Sequence, residues 1–225
     1  MDMAKIESCE VILLRHAHSS ANLKGVLAGR DNRVSLSERG KREAIELADH
    51  LKPIDFQAIY CSPLRRCRET LAPLLENRSL KATYVEDLIE MEYGQWSGKS
   101  LALLAKEDLW KAIQNRPSTV RFPRGESFGE MSLRANQAVL DLAKGKKRII
   151  IMSHGDVIKS IVAFHLGLAL DSFQRISIDP ASITTLRIPS SQVISVNNTS
   201  HLSKTNALKN AKRDKFHLGG GAGTL

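Results

Sequence analysis

The stretch Val11-Ile12-Leu13-Leu14-Arg15-His16-Ala17-His18-Ser19-Ser20-Ala21-Asn22 decides the fold. Four consecutive apolar residues run directly into an arginine and a histidine. A short continuous apolar run is typical of a strand that is buried on both faces, as in a parallel sheet. In open α/β sheets, ligands bind just beyond the carboxyl ends of the strands. The sequence therefore places Arg15 and His16 where chemistry is usually done.

A second stretch repeats this pattern further along the chain: Arg148-Ile149-Ile150-Ile151-Met152-Ser153-His154-Gly155-Asp156. Another apolar run ends in a histidine, in a chain that contains only 7 histidines. The carboxyl ends of parallel strands meet at one edge of a sheet, so two such strands can bring His16 and His154 together over a single crevice. We predict that these two imidazoles share one site.

Helical and strand patterns alternate along the remainder of the chain, which predicts an α/β fold with a mostly parallel central sheet flanked by helices. The first helix is expected to start after Ser37, a favourable N-cap residue, and to end before Pro53. Further helices are predicted over residues 64–75, 101–114, 127–144 and 157–166, and further strands over residues 56–60, 82–88, 173–178, 182–188 and 193–196. Residues 19–33 are predicted to be a polar loop, and residues 116–125 a loop that lies across the mouth of the site.

A chain of 225 residues has the size of one large domain or two small ones, and no stretch of it reads as an interdomain linker. We predict one domain over residues 1–198. Beyond it the composition turns polar, and Gly219-Gly220-Gly221 stands near the end. Such a composition cannot build a packed core, so we predict a disordered, basic and glycine-rich tail over residues 199–225.

The net charge of +9 is divided between the tail and the domain. From Ser203 onward five cationic residues face one acidic residue, a balance of +4, which leaves +5 for the rest of the chain. No aromatic-rich binding motif accompanies this charge, so we expect no nucleic-acid partner. No apolar run reaches the roughly 20 residues that span a bilayer, and we see no secretory signal. With 3 cysteines that form no disulfide framework, we expect a cytoplasmic protein with no membrane partner.

The side chains around the first strand end indicate a type of chemistry. A neutral imidazole is a nucleophile near pH 7, and an arginine offers a planar fork of donors that suits phosphate oxygens. A carboxylic acid with a raised pKa can protonate a leaving oxygen. Glu90 and Glu92 are the available carboxyl groups in a glycine-punctuated loop after a predicted strand. Together these groups describe phosphoryl transfer to a histidine.

These residues resemble the motifs of the histidine phosphatase superfamily, the phosphoglycerate mutase-like proteins. The family triplet Arg-His-Gly, with an Asn six residues past the His, corresponds to Arg15-His16-Ala17 and Asn22. The motif Ser-Pro-Leu-x-Arg-Ala-x-Gln/Glu-Thr corresponds to residues 62–70, and Leu-x-Glu-x-x-x-Gly-x-Trp-x-Gly to residues 88–98. Pro-x-Gly-Glu-Ser matches residues 123–127, and Ser-His-Gly matches residues 153–155. The motifs follow the family order.

The resemblance implies a three-layer α/β sandwich and a metal-independent phosphomonoester hydrolase, with a phosphohistidine intermediate and a small phosphorylated metabolite as substrate. It makes His16 the nucleophile. Glu90 would protonate the leaving alcohol and then activate water. The residues implied to bind phosphate are Arg15, Arg66, Asn22 and a protonated His154. We add Arg30, at the end of a glycine loop, as a candidate substrate contact. No cofactor is expected, because the arginines and His154 supply the positive charge that a metal supplies elsewhere.

The chain departs from the family pattern at two positions. Ala17 stands where glycine is usual, and an alanine at positive φ would be strained by about 1 kcal/mol. His18 stands where Glu or Gln is common, and the sequence assigns it no role. Glu92 remains a rival to Glu90 as the acid.

Two readings from other functional classes stay open. The spacing His16-Ala17-His18 is found among metal ligands, and His154 and Asp156 could complete such a site. Against a metal, Arg15 would put a fixed cation beside it. The third reading is a non-catalytic module that only binds a phosphorylated ligand. The complete set of His16, Glu90 and His154 argues against that reading.

Within the family, the alternatives are a phosphatase and a phosphoglycerate mutase, an isomerase that would depend on 2,3-bisphosphoglycerate. Family mutases carry a longer insertion between the acid and the second histidine, whereas Glu90 and His154 lie only 64 positions apart here. We therefore predict a phosphatase. Three arginines in the predicted mouth loop hint at a substrate with a second anionic group: Arg116, Arg121 and Arg124. We make no prediction of oligomeric state.

Overall fold

The computed structural model describes residues 8–76 and 78–203. A sheet of six strands forms its centre, and helices cover both faces. The strands are β1 (Cys9–Arg15), β2 (Ala58–Cys61), β3 (Ala82–Tyr84), β4 (Arg148–Ser153), β5 (Ile183–Ile188) and β6 (Gln192–Asn198). The α-helices are α1 (Ser20–Lys24), α2 (Glu38–Leu51), α3 (Arg65–Leu75), α4 (Leu101–Leu104), α5 (Asp108–Asn115), α6 (Phe128–Ala143) and α7 (Gly155–His165). Short 3-10 helices lie at Glu86–Leu88, Gly94–Trp96, Pro117–Thr119 and Leu170–Arg175.

The strand order across the sheet is β3-β2-β4-β1-β5-β6. The four strands from β3 to β1 are parallel, and β5 runs antiparallel to both β1 and β6. β4 lies between β2 and β1, and Arg15 is paired with Ser153 while Cys61 is paired with Met152. The carboxyl ends of three parallel strands therefore finish side by side at one edge of the sheet.

The continuous apolar run of β1 serves both faces of the sheet, because successive side chains of a strand point in opposite directions. Val11 and Leu13 join the core cluster that contains residues of α5, α6 and α7. Ile12 and Leu14 join a second cluster with residues of α2 and α3. The sheet is thus buried between two helical layers, and the predicted α/β sandwich with a mostly parallel sheet is confirmed.

The predicted helix over residues 101–114 is in fact two helices, α4 and α5, joined by a turn. Leu104 and Trp110 are both buried in one core cluster. On an uninterrupted helix a separation of six residues would put them on different faces. The chain therefore breaks near Lys106 so that both side chains can reach the core.

Three other sequence predictions differ from the structure. Residues 173–178 form no strand, because Phe173 packs inward from the 3-10 helix Leu170–Arg175 against Phe128, with ring centroids 5.3 Å apart. β3 ends at Tyr84, since its partner β2 offers only three paired residues. Part of the predicted polar loop is the short helix α1, which Ser19 and Asn22 cap reciprocally and which Gly25 ends in the left-handed conformation.

The first five residues of the predicted tail pack onto the domain. Leu202 lies against a small cluster that includes Ala17 and Ala44, and the Ser203 amide donates to the Glu46 carboxylate at 3.1 Å. The packed part of the chain thus extends to Ser203, and the remainder of the predicted tail, residues 204–225, lies outside the described residues. A search of the described residues finds no helix with the length and apolar character needed to cross a membrane.

Candidate active site

The site is built where β1, β4 and β2 end. The amide of His16 donates to the carbonyl of Ser153 at 3.0 Å, and the amide of Ser62 donates to the carbonyl of Met152 at 2.9 Å. These two bonds continue the parallel pairing by one residue past each strand. The register of the sheet thereby brings His16, His154 and Ser62 together, and the ring centroids of the two histidines are 5.3 Å apart at an interplanar angle of 61°. The predicted meeting of the two imidazoles is found.

His16 is held with one nitrogen bound and the other available. Its Nδ1 lies 2.8 Å from the carbonyl oxygen of Ala17. Because a carbonyl can only accept, Nδ1 carries the proton and the lone pair stands on Nε2. Burial, followed by the positive charges of Arg66 and Arg15, lowers the pKa of His16 well below its ordinary value. His16 is therefore a neutral imidazole at pH 7, with its Nε2 lone pair on the ring edge away from Ala17.

His154 has both ring nitrogens engaged. Arg66 Nη2 lies 3.1 Å from Nδ1, and Ser62 Oγ lies 2.7 Å from Nε2. A guanidinium can only donate, so Nδ1 accepts and the proton lies on Nε2, which donates to Ser62. Burial and the charge of Arg66 lower the pKa of His154 well below its ordinary value. The buried charges of Arg66 and Arg15 thus favour a neutral His154 in this arrangement, and a protonated His154 beside a bound phosphate stays a prediction.

Both predicted arginines are buried. Arg15, at the end of β1, is 1% exposed and donates through Nη1 to the carbonyl of Ile178. Arg66, in the first turn of α3, is also 1% exposed and donates at 2.8 Å to the carbonyl of Gly29. Within the described part of the chain, Nε and Nη1 of Arg66 are buried and meet no acceptor. Buried donors without acceptors are costly, so these two groups point to an anion as their partner.

Glu90 is 4% exposed and lies beside the second histidine. Its Oε1 accepts the Met91 amide at 2.9 Å, and its Oε2 lies 3.9 Å from Nδ1 of His154. Burial, with the nearby negative charge of Asp156, raises the pKa of Glu90 to about 7. The raised pKa suits the carboxyl group to exchange a proton near neutral pH. Glu92, its rival in the sequence, lies outside the cavity lining and 3.6 Å from Arg30.

Asn22 and Arg30 differ in their placement. Asn22 lines the cavity, and its Oδ1 accepts from both the amide and the hydroxyl of Ser19, at 2.9 and 2.8 Å. Asn22 thus caps α1 at the edge of the cavity. Arg30 does not line the cavity. It donates to the carbonyl of Glu90 at 2.9 Å and to Glu126 at 3.2 Å, so it supports the backbone of the Glu90 loop.

Arg15, His16, Arg66 and Glu90 are among the side chains that line a cavity open to solvent. The polar part of its lining comes from the end of β1, from α1 and its N-cap, from Arg66 on α3, and from the loop that holds Glu90 and Tyr93. Two adjoining segments supply an apolar wall: residues 26–29 and Leu101. The segments are joined because the Leu27 amide donates to the carbonyl of Lys99 at 2.9 Å and the Leu101 amide to that of Gly25 at 2.9 Å. No residue of the predicted mouth loop, 116–125, is part of the lining, because Val120 and Phe122 turn inward and pack in the core.

Three buried polar residues at the cavity were not predicted to belong to the phosphate site: Tyr93, Asp156 and Lys159. Tyr93 lines the cavity and donates its hydroxyl proton to Asp156 Oδ2 at 2.6 Å. Lys159 Nζ lies 3.5 Å from Asp156 Oδ1 and donates to Gln174 at 3.1 Å. All three side chains are fully buried. One signal was present in the sequence: Asp156 and Lys159 are charged residues at i and i+3 of a mostly apolar helix.

The two departures from the family motif now have explanations. Ala17 is not among the residues with positive φ. The backbone strain that an alanine at positive φ would cause is therefore not present at this position. The amide of His18 donates to the buried carboxylate of Glu43 at 2.8 Å, and its Nδ1 lies 2.8 Å from Ser37 Oγ. A side chain at Gly40 would start 1.9 Å from the carbonyl oxygen of His18, so glycine alone allows α2 to pack against this loop.

Comparisons with known proteins agree with this site. The model of the histidine phosphatase superfamily (branch 1) matches residues 11–199. The chain therefore belongs to that superfamily of enzymes. A phosphoserine phosphatase 1 from Hydrogenobacter thermophilus is 28% identical over 87% of this chain and 95% of its own length. A 2,3-bisphosphoglycerate-dependent phosphoglycerate mutase from Thermoplasma acidophilum is 22% identical over 82% of this chain and 90% of its own length.

Among solved structures, a phosphoserine phosphatase variant from Entamoeba histolytica in complex with phosphoserine is similar. It superposes with a TM-score of 0.78 at 26% identity, and the match covers 87% of this chain and all of that one. The predicted family and fold class are thus confirmed by sequence and structure together.

Proposed function

We propose that the protein is a phosphomonoester hydrolase in which His16 is the nucleophile. The observation that carries this proposal is the hydrogen bond from His16 Nδ1 to the Ala17 carbonyl, because it leaves a neutral Nε2 lone pair in a site lined by two buried arginines. In the first step Nε2 forms a bond to phosphorus as the ester oxygen leaves. Water then attacks the phosphohistidine and releases inorganic phosphate.

Glu90 is the proposed acid and base. With a pKa raised to about 7, it can give its proton to the leaving alcohol in the first step and accept one from water in the second. Its raised pKa has a physical cause in burial and in the charge of Asp156. Glu92 is the weaker candidate because Arg30 lies against it outside the cavity lining.

Arg15, Arg66 and Asn22 are the proposed phosphate ligands. The two acceptor-free nitrogens of Arg66 match two phosphate oxygens, and such preorganised donors stabilise the charge of a phosphoryl group in transfer. Neutral His154 would donate its Nε2 proton to the phosphate only after the ring rotates and its bond to Ser62 breaks. Alternatively, a bound dianion would raise the pKa of His154 and favour its protonated form.

The metal-site reading is disfavoured by the positions of its own ligands. Nδ1 of His16 is used by Ala17, and Nδ1 of His18 by Ser37, so the two rings are fixed on different partners. In the described part of the chain no cluster of three or more His, Cys, Asp or Glu side chains is arranged to hold a metal. We propose a reaction without a metal or cofactor, and activity that persists in excess chelator would support it.

Two measurements test the proposal. One is the hydrolysis of p-nitrophenyl phosphate. The other mixes the protein with a phosphate ester labelled on its phosphate group, quenches the reaction rapidly without acid, and looks for the label on the protein. We expect turnover by the wild type, a label on residue 16, and neither in His16→Ala. A non-catalytic binding module would bind phosphate without turnover.

The mutase alternative is tested with 3-phosphoglycerate in the presence and absence of 2,3-bisphosphoglycerate. Interconversion of the monophosphoglycerates that requires the bisphosphate would replace hydrolase by mutase, whereas phosphate release without it supports the hydrolase.

A further inference from the structure

We propose that the preferred substrates carry an uncharged alcohol as the leaving group, without a carboxylate or second phosphate near the phosphoester. This inference rests on the proposed function and concerns the apolar wall of the same cavity, residues 26–29 and Leu101. That wall offers no cation to a second anionic group.

Within residues 8–76 and 78–203, the cations that line the cavity are Arg15 and Arg66. Both belong to the proposed phosphate-binding set beside His16, so neither is available for a second anion on the alcohol. Apart from the nucleophile His16 and from Tyr93, the remaining polar lining residues are neutral or acidic: Ser19, Asn22 and Glu90. Tyr93 cannot act as a donor to the substrate either, because its hydroxyl proton is given to Asp156 at 2.6 Å.

Arginines around the cavity are bound to acidic side chains of the protein itself. Arg30 lies 3.6 Å from Glu92 and 3.2 Å from Glu126, and Arg65 lies 2.6 Å from Glu69. Of the arginines in the predicted mouth loop, Arg121 pairs with Glu130, and none of the three lines the cavity. The hint of a second anion-binding group in residues 116–125 is therefore not supported by their placement.

Two lysines, Lys24 and Lys99, neighbour the segments of the apolar wall, but both are exposed. Water screens their charge, and an exposed lysine gives up its own hydration and mobility to hold an anion. A carboxylate that enters the cavity would lose its water against Val26, Leu27 and Leu101 without a buried partner. An alcohol with a hydroxyl or an apolar group in the same place loses much less.

The test compares 3-phosphoglycerate with its carboxyl methyl ester, which removes the carboxylate charge and adds one methyl group. We expect kcat/KM for the ester to exceed that for the acid by at least tenfold in phosphate release. Equal values, or a preference for the acid, would overturn the inference. Hydrolysis of p-nitrophenyl phosphate by the wild type, and its loss in His16→Ala, test the proposed function separately from the inference about the leaving alcohol. If that hydrolysis is absent, the proposed function fails; if it is present without an ester preference, only the present inference fails.

A matched set of variants tests whether the apolar wall causes the preference for the ester over the acid. Leu101→Lys places a cation in the lining, and we expect it to reduce the ester-to-acid ratio of kcat/KM at least threefold. Leu101→Met has a side chain of similar length without charge and should keep the wild-type ratio. Leu103→Lys adds the same charge on α4 at a position that is 62% exposed and outside the lining, and should also keep it. An equal fall in the ratio for all three variants, or no fall in Leu101→Lys, contradicts the assignment to this wall.

Discussion

His16 and His154 follow two paired strands, and both are buried and neutral, yet their surroundings differ in one respect. The bond to Ala17 leaves one nitrogen of His16 with a free lone pair, whereas Arg66 and Ser62 occupy both nitrogens of His154. A ring with a free lone pair can attack phosphorus, and a ring with two partners is fixed in place. The comparison teaches that burial and lowered pKa do not by themselves mark a nucleophile; the hydrogen-bond partners of the ring do.

The largest effect should come from removing the free lone pair. We expect His16→Ala to lower kcat for p-nitrophenyl phosphate by roughly 10⁴-fold or more, because the covalent step is lost. Steady-state kinetics measure this, and His165→Ala is the control, since that buried histidine contacts Ser191 at 3.0 Å away from the cavity. Comparable losses in both variants would mean that the effect is one of folding.

Arg66→Lys breaks the contact that distinguishes His154. The lysine keeps the charge but loses the fork that reaches both Nδ1 of His154 and the phosphate. We expect kcat/KM to fall about 10²-fold, the size found when one preorganised donor is removed. Arg65→Lys, on the exposed side of the same helix turn, should change kcat/KM less than twofold. An Arg66→Lys enzyme as active as the wild type would refute the role of the fork.

The acid lies on the His154 side of the site, and Asp156 raises its pKa. Lys159, Tyr93, Arg15 and Arg66 are the other groups in this buried set. Asp156→Asn removes a negative charge, so the pKa of Glu90 should fall and the proton needed by the leaving alcohol should be lost at lower pH. The basic limb of the pH profile of kcat/KM should move to lower pH, with about tenfold less activity at pH 8.

The pH profile separates this role from a structural one, because loss of packing would lower activity at every pH. Asp171→Asn, which changes an exposed aspartate bound to the Ser118 amide, is the control and should leave the profile in place. A profile of Asp156→Asn that keeps the wild-type basic limb would mean that Asp156 does not act on Glu90.

The smallest effect concerns Ser62, the second partner of His154. Ser62→Ala removes the acceptor of the Nε2 proton but leaves Arg66 on Nδ1, so the ring keeps one of its two fixed contacts. We expect a fall in kcat/KM of about twofold to tenfold, the worth of one neutral hydrogen bond. Ser62→Thr should restore most of it. A loss as large as that of Arg66→Lys would mean that the proton on Nε2 matters for more than orientation.

Much of this site could be predicted because the informative residues are close together in sequence. A run of four apolar residues followed by Arg15 and His16 predicts a buried strand of a parallel sheet and places the site at its carboxyl end. The rest depends on contacts between distant segments. The neutral state of His154 follows from Arg66, 88 positions away, and the apolar wall forms because residues 26–29 meet Leu101. Neither the break between α4 and α5 nor the inward turn of Phe122 is visible in local periodicity.

The buried Nε and Nη1 groups of Arg66 have a consequence for the amount of folded protein. Each donor kept from water without an acceptor in the described chain weakens the native state by about 1–3 kcal/mol. An anion that accepts hydrogen bonds from these two groups would remove that destabilisation. Because it would bind only the native chain, it would shift the folding equilibrium toward the native state by mass action. Inorganic phosphate, the product of the proposed reaction, would then also act as a stabilising agent for its own producer, and phosphate-starved conditions would leave less of the enzyme intact.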